Sequence, residues 1–243
     1  MRVRLLPSNL SEPLKYQPLT TMLINDVIAV DGGCLGYALG PEAQRRVRSV
    51  IITHSHIDHV ATLPVFIAEN FPFLHQPIYV YSTLETIEAM KAHIFNDKIW
   101  PDFERIRLFN GNGSGLHYVE IKHLTPFEVE GLRITPVWTN HTVPTIGLAI
   151  EDIASSIIFT ADTYHTEEIW HLANRLSNLR AVLVDVSYPN ELEQLAADSK
   201  HLTPQGLALE LQKLEREVQV FAVHLKPQSR ERIIGQIEAL PQP

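Results

Sequence analysis

Cys34 is the only cysteine in the 243-residue chain, so an intramolecular disulfide is impossible. Between Gly33 and Leu35 it reads as a small packing residue. No apolar run approaches the roughly 20 residues needed to span a bilayer. The first ten residues carry two arginines but no apolar signal-peptide core. A soluble, cytoplasmic protein without membrane contact is the expectation. Basic residues are outnumbered, 20 against 28, giving a net charge of −8. That excess argues against a large nucleic acid as partner, because such binding is driven by phosphate neutralisation. A small phosphate ester is not excluded, since bound cations can supply positive charge locally. There is no internal repeat and no low-complexity linker. Hydrophobic residues at 45% and charged residues at 20% are ordinary globular values. One domain over 1–243 follows.

The densest chemistry lies in Thr53-His54-Ser55-His56-Ile57-Asp58-His59. The β-branched run Val50-Ile51-Ile52 before it reads as a buried strand, and Leu63 to Phe71 after it as a helix with an apolar face. The motif therefore sits at a strand end, where layered α/β proteins collect ligands. His54 and His56 are two apart, so an extended backbone aims both rings the same way. Asp58 and His59 follow on the turn into the helix and can address a second position nearby. Imidazole and carboxylate suit zinc, manganese or iron. Four such side chains, divided two and two, point to a pair of divalent ions, which two-metal hydrolytic sites hold roughly 3.5–4 Å apart.

Elsewhere the pattern alternates. Met22 to Val30 reads as a hairpin turning at Asn25-Asp26, with Asp31-Gly32-Gly33 ending its second strand. Pro41 to Arg46 reads as a short helix. Pro77 to Tyr81 is a strand. A helix from Thr83 to about Ile94 has Ser82 as expected N-cap and Glu85 completing a capping box. Strands are expected near 117–121, 127–129, 132–137, 146–150 and 156–160. A helix near 167–176 leads to the strand Ala181–Val186. An amphipathic helix from about Pro204 to Glu217 leads to the strand Val218–Val223, and a last helix covers roughly 229–240. Two mixed halves, each ending in strand and helix, fit an α/β fold, a four-layer αββα sandwich.

Three further ligand-type residues each follow a β run. His141 comes after Pro136-Val137-Trp138, Asp162 after Ile157-Ile158-Phe159-Thr160, and His224 after Val220-Phe221-Ala222-Val223. Six of the twelve histidines, His75, His93, His117, His123, His165 and His171, lie in helices, hairpins or turns and read as surface or structural. His201 differs. It stands in Ser199-Lys200-His201-Leu202-Thr203-Pro204, directly before a helix whose N-cap and first position suit Thr203 and Pro204. Asp185 ends the strand of Leu183-Val184-Asp185-Val186-Ser187. A carboxylate beside an imidazole raises its pKa and holds its tautomer. Phe95-Asn96-Asp97-Lys98-Ile99-Trp100-Pro101-Asp102-Phe103 is aromatic and turn-rich. It reads either as a staple packing a loop onto the body or as a wall of Phe95, Asn96 and Trp100 against a planar ring.

The first motif resembles the His-x-His-x-Asp-His signature of the metallo-β-lactamase superfamily. The resemblance implies that His54, His56 and His141 hold one ion, Asp58, His59 and His224 the other, and that Asp162 bridges them. A second resemblance, to class II 3′,5′-cyclic nucleotide phosphodiesterases, runs from about residue 22 to 226. It is carried by His93-Ile94-Phe95-Asn96-Asp97-Lys98-Ile99-Trp100-Pro101, Asp162-Thr163, Val184-Asp185-Val186-Ser187-Tyr188-Pro189-Asn190 and His201-Leu202-Thr203-Pro204. In phosphodiesterase branches the corresponding histidine donates a proton to the leaving group and an acidic residue pairs with it, which implies these roles for His201 and Asp185. The chain departs from that family at Ile57, usually leucine, at Ala61-Thr62-Leu63, usually containing glycine-leucine, and at Ala161, often glycine. The ligand positions are intact.

These resemblances imply a binuclear metal-dependent phosphodiesterase. It would open a cyclic nucleotide such as cAMP or cGMP to the 5′-monophosphate, using a metal-activated hydroxide and a histidine acid. The implied cofactors are two divalent ions, zinc first, with manganese or iron as alternatives. The implied partner is a small cyclic phosphodiester, and a homodimer is the default assembly. A tRNA 3′-processing endonuclease would share the metal site but should carry a basic, glycine-rich arm, which this chain lacks. Ester, lactone or thioester hydrolysis would not need the His201–Asp185 pair. A silent nucleotide-binding member would have no use for the full ligand set.

Overall fold

In the computed structural model, which describes residues 1–9 and 17–240, the chain forms two compact units. The first is built mainly from Leu19–Ile121 and the second from residues 122–240. Among the described residues no helix is long and apolar enough to cross a membrane.

The first unit holds a six-stranded sheet in chain order: β1 (Val3–Leu5), β2 (Met22–Ile24), β3 (Ile28–Val30), β4 (Ser49–Ile51), β5 (Ile78–Ser82) and β6 (Leu116–Glu120). The first two pairings are antiparallel and the last three parallel. The β2–β3 hairpin turns where expected, with Asn25 and Asp26 both at positive φ, as a tight turn between right-twisted strands requires. Every residue of β2, β3 and β4 is buried, which is why these strands read as continuous apolar runs. Helices α1 (Leu35–Ala38), α2 (Pro41–Gln44), α3 (Ile57–Val60), α4 (Leu63–Asn70) and α5 (Leu84–His93) fill the connections. Phe66 and Ile67 of α4 are buried with Val50, Ile52, Ile78 and Val80 in one cluster. The expected N-cap Ser82 is instead the last residue of β5, its hydroxyl donating to Ile52 O at 2.7 Å. Thr83 caps α5, its Oγ1 accepting from Thr86 N at 3.5 Å. A five-residue strand reaches one residue further than the apolar run shows.

The second unit holds β7 (Phe127–Val129), β8 (Leu132–Trp138), β9 (Ile146–Glu151), β10 (Ser156–Phe159), β11 (Leu179–Asp185) and β12 (Gln219–Val223), also in chain order. β7 through β10 pair antiparallel, while β10–β11 and β11–β12 are parallel. It follows that β8, β10, β11 and β12 all run in one direction and end at the same sheet edge. Helices α6 (Glu168–Arg175), α7 (Glu193–Ser199), α8 (Pro204–Leu211) and α9 (Arg230–Glu238) complete the unit. The expected helix over 204–217 stops at Leu211, and α7 is a helix that apolar periodicity does not announce. Lys200, in the left-handed region at φ 56°, closes α7. Trp170 is fully buried, and its Nε1 donates to Glu210 at 2.6 Å. Glu210 is itself buried and accepts further bonds from Thr166 N, Lys213 Nζ and His165 Nδ1, so its charge is compensated.

In the first unit the backbone after β3 holds the start of α3. Gly32 N donates to His59 O at 2.6 Å, Gly33 N to Thr20 O at 3.0 Å, and Thr20 N to Asp58 O at 2.9 Å. Strand end and helix approach so closely that a Cβ on Gly33 would lie 2.0 Å from Asp58 O and 2.7 Å from Thr20 N. Both obstacles are backbone. Gly33→Ala is expected to destabilise the chain by about 2–3 kcal/mol, read as a lower urea midpoint at unchanged slope.

Candidate metal centre

In the first unit β4 delivers the motif. His54 and His59 are fully buried, while His56 and Asp58 are half-buried. The His54 ring centroid lies 4.7 Å from that of His56 and 4.1 Å from that of His59. Ligand atoms of His54 and His56, and those of Asp58 and His59, lie within 4.8 Å of each other. His56 is extended at φ −63°, ψ 146° immediately before α3, and Asp58 occupies the first turn of that helix. Ile57 between them is 69% exposed, so the strand-to-helix turn aims its neighbours inward and this side chain out.

Asp31 organises this half, a role the sequence reading missed. It is fully buried at the end of β3, with φ at 62°. Its Oδ2 meets His59 Nδ1 at 2.8 Å, and its Oδ1 accepts from Thr53 N at 2.8 Å. Thr53 Oγ1 also reaches Asp31 at 3.0 Å and lies 3.0 Å from His54 Nδ1. Burial pushes the Asp31 carboxyl above the ordinary carboxylate range, against the pull of His59 and the hydrogen bonds from Thr53. An aspartate before two glycines looks like any strand-ending turn, so nothing local marks it.

In the second unit the four strands that run one way deliver the rest to one edge. His141 follows β8, Asp162 follows β10, Asp185 ends β11, and His224 follows β12. The side chains of His141, Asp162 and His224 are almost wholly buried. Asp162 Oδ2 lies 4.0 Å from His141 Nε2 and 3.6 Å from His224 Nε2. His141 Nδ1 meets the backbone carbonyl of Lys200 at 3.0 Å. A carbonyl only accepts, so that nitrogen carries the proton and Nε2 carries the lone pair. His201 Nδ1 lies 2.7 Å from Asp185 Oδ2, both groups being buried. Burial opposes ionisation of Asp185, but the charge and hydrogen bond of His201 outweigh it and hold the carboxyl below its ordinary value. The His201 ring stacks on that of His224 at 5.3 Å and meets that of His141 at 5.0 Å.

His123 bonds Trp138 N and Glu168, and His165 bonds Glu210. His75, His93, His117 and His171 are exposed. The aromatic segment requires a correction. Phe95 is 2% exposed inside the first unit's core, so its ring has no face for stacking. Asn96 closes the end of α5, donating to Ala92 O and accepting from Lys98 N and Ile99 N. Trp100 packs half-buried on the same core. Phe95 and Phe103 pack inward where the chain leaves α5 over that core, while Ile99 stays exposed.

The donor set fits divalent ions. His54 and His59 in the first unit, and His141 in the second, each have Nδ1 against an oxygen, which leaves Nε2 able to coordinate an ion, and such outer partners orient metal-binding imidazoles.

A family model described as a beta-lactamase superfamily domain matches residues 28–225, across both units. The chain belongs to that superfamily. It is 24% identical over 213 residues to a protein of Yersinia pestis named probable 3′,5′-cyclic-nucleotide phosphodiesterase. That match covers 76% of this chain but 58% of the relative, so the chain spans under two-thirds of that protein's length. Unliganded yeast PDE1 superposes with TM-score 0.78 and 18% identity over 97% of this chain and 92% of that one. The short form of human tRNase Z superposes with TM-score 0.68 and 16% identity over 93% of each. The fold is therefore the expected metallo-β-lactamase α/β sandwich.

Two substitutions probe this construction. Ala161, directly before Asp162, is buried at φ 52°, where the related family often has glycine. Ala161→Gly is expected to raise stability by up to about 1 kcal/mol by removing left-handed strain, seen as a higher urea midpoint. Asp31→Ala is expected to weaken metal binding by about 10–100-fold, measured by competition with a chromogenic chelator.

Proposed function

We propose that the chain is a binuclear metal-dependent phosphodiesterase that hydrolyses 3′,5′-cyclic nucleotides, cAMP or cGMP, to 5′-monophosphates. The observation that carries this reading is the buried His201–Asp185 pair, 2.7 Å apart, stacked beside His224. Ester or lactone hydrolysis gives such a pair no task. Breaking the P–O3′ bond of a cyclic nucleotide expels an alkoxide that needs a proton. Resemblance to a cyclic-nucleotide phosphodiesterase adds support.

Carried over from the superfamily, His54, His56 and His141 would hold one ion, Asp58, His59 and His224 the other, and Asp162 both. Zinc is proposed, with manganese or iron as alternatives. When bound, such ions lower the pKa of water and offset charge on phosphoryl oxygens. The chain's own residues do the rest. Asp162 would supply carboxylate oxygens and a negative charge to offset that of bound cations. Asp185 accepts from His201 Nδ1, which fixes the ring and leaves Nε2 to deliver a proton to the departing ribose oxygen. Trp100 is the one member of the aromatic segment still proposed to touch substrate. We place the protein in the cytoplasm, as a homodimer.

The likeness to human tRNase Z favours a second reading, processing of a tRNA 3′ end, which the net charge of −8 opposes.

The test is hydrolysis of cAMP and cGMP by zinc- or manganese-loaded protein with product identification. Conversion to the 5′-monophosphate is expected. His201→Ala is expected to lower kcat by about 10²–10⁴-fold with metal content unchanged. Turnover of bis(p-nitrophenyl) phosphate alone would discard the cyclic nucleotide, and cleavage of precursor tRNA would favour the second reading.

A further inference from the structure

Ser187 lies two residues beyond Asp185 and is fully buried. Its hydroxyl faces more partners than one proton can serve. Asp185 Oδ1 is at 2.7 Å, His224 Nδ1 at 2.9 Å, His224 O at 3.1 Å and His201 Nδ1 at 3.2 Å. A hydroxyl has one proton to donate and two lone pairs to accept with. Asp185 Oδ1 makes the shortest of these contacts, and the Asp185 carboxylate oxygens are placed as acceptors from both Ser187 and His201. The proton therefore goes to Asp185 Oδ1, and the lone pairs face the imidazoles.

We propose that Ser187 is a positioning residue that sets the ring tautomer of His224 and ties it to His201 through Asp185. The chain of bonds has one polarity. His224 Nδ1–H donates to Ser187 Oγ, Ser187 O–H donates to Asp185 Oδ1, and His201 Nδ1–H donates to Asp185 Oδ2. One oxygen pair thus holds a metal-ligand candidate and the acid candidate in the same proton arrangement. His224 then presents the lone pair of Nε2 on the side where Asp162 Oδ2 lies 3.6 Å away. If Ser187 instead donated to His224 Nδ1, Nε2 would carry the proton and could not bind a cation. The direction of one hydroxyl decides whether the ring is a ligand. His224 has its backbone in the left-handed region at φ 62°, directly after β12.

The meaning of the assignment for metal binding rests on the proposed binuclear site, but its test does not. Long-range ¹H–¹⁵N spectra of the metal-free protein at pH 8 report which nitrogen of each neutral imidazole is protonated. Nδ1–H forms of both His224 and His201 are expected in the wild type. Ser187→Ala is expected to shift His224 toward the Nε2–H form and to weaken zinc binding at least tenfold. An Nε2–H form of His224 in the wild type would overturn the proposal. So would a Ser187→Ala protein whose His224 tautomer and zinc affinity are unchanged. The wild-type spectrum decides the matter even if the variant does not fold. A protein with the expected tautomers but no phosphodiesterase activity would keep this role for Ser187 and discard the proposed reaction.

Discussion

A neutral imidazole has one proton and one lone pair, and the candidate centre is arranged around that fact. In the first unit Asp31 takes the Nδ1 side of His59, and Thr53 that of His54. In the second, the Lys200 carbonyl takes His141, Ser187 takes His224 and Asp185 takes His201. Each partner sits at a strand end or helix end, with Asp185 and Ser187 sharing the end of β11. In each unit the rings are thus held from behind by protein groups, which fix ring orientation.

The scaffold exists to hold those rear partners still. Where the strands of each sheet end, the chain must leave the sheet at once. Several of these exits, and the end of α7, carry backbone in the left-handed region. Asp31, Ala161, Lys200 and His224 all sit at positive φ, and each borders a residue of the centre or belongs to it. Residues without glycine's freedom keep such conformations only where the surroundings over-determine them. The Lys200 turn shows the economy of the arrangement. One left-handed residue closes α7, turns its carbonyl to His141 and begins the loop that carries His201.

Much of this was legible in the sequence. The His-x-His-x-Asp-His spacing between an apolar strand and an apolar helix marked the cluster of His54, His56 and His59 that the first unit brings together. His141, Asp162 and His224 were legible because each follows a β run, and the sheet confirms that β8, β10 and β12 share a direction. The His201–Asp185 pairing was legible only through the family resemblance of the segments that carry them, and the structure brings the two to 2.7 Å. The aromatic segment was not. Phe95 in a helix-terminating loop and Phe95 in a binding wall have the same local pattern, and only burial against Phe103 and the rest of the core separates them.

Composition and spacing alone determined the ligand types, the strand-to-helix setting and the alternation that makes an α/β sandwich. These are local properties, fixed by residue chemistry and by periods of two and 3.6. Tertiary structure alone decided which nitrogen of each histidine faces a protein oxygen, and through which residue. Asp31 is 28 positions from His59, Ser187 is 37 from His224, and Lys200 is 59 from His141. Contacts across such separations depend on strand order and register, which no local pattern encodes.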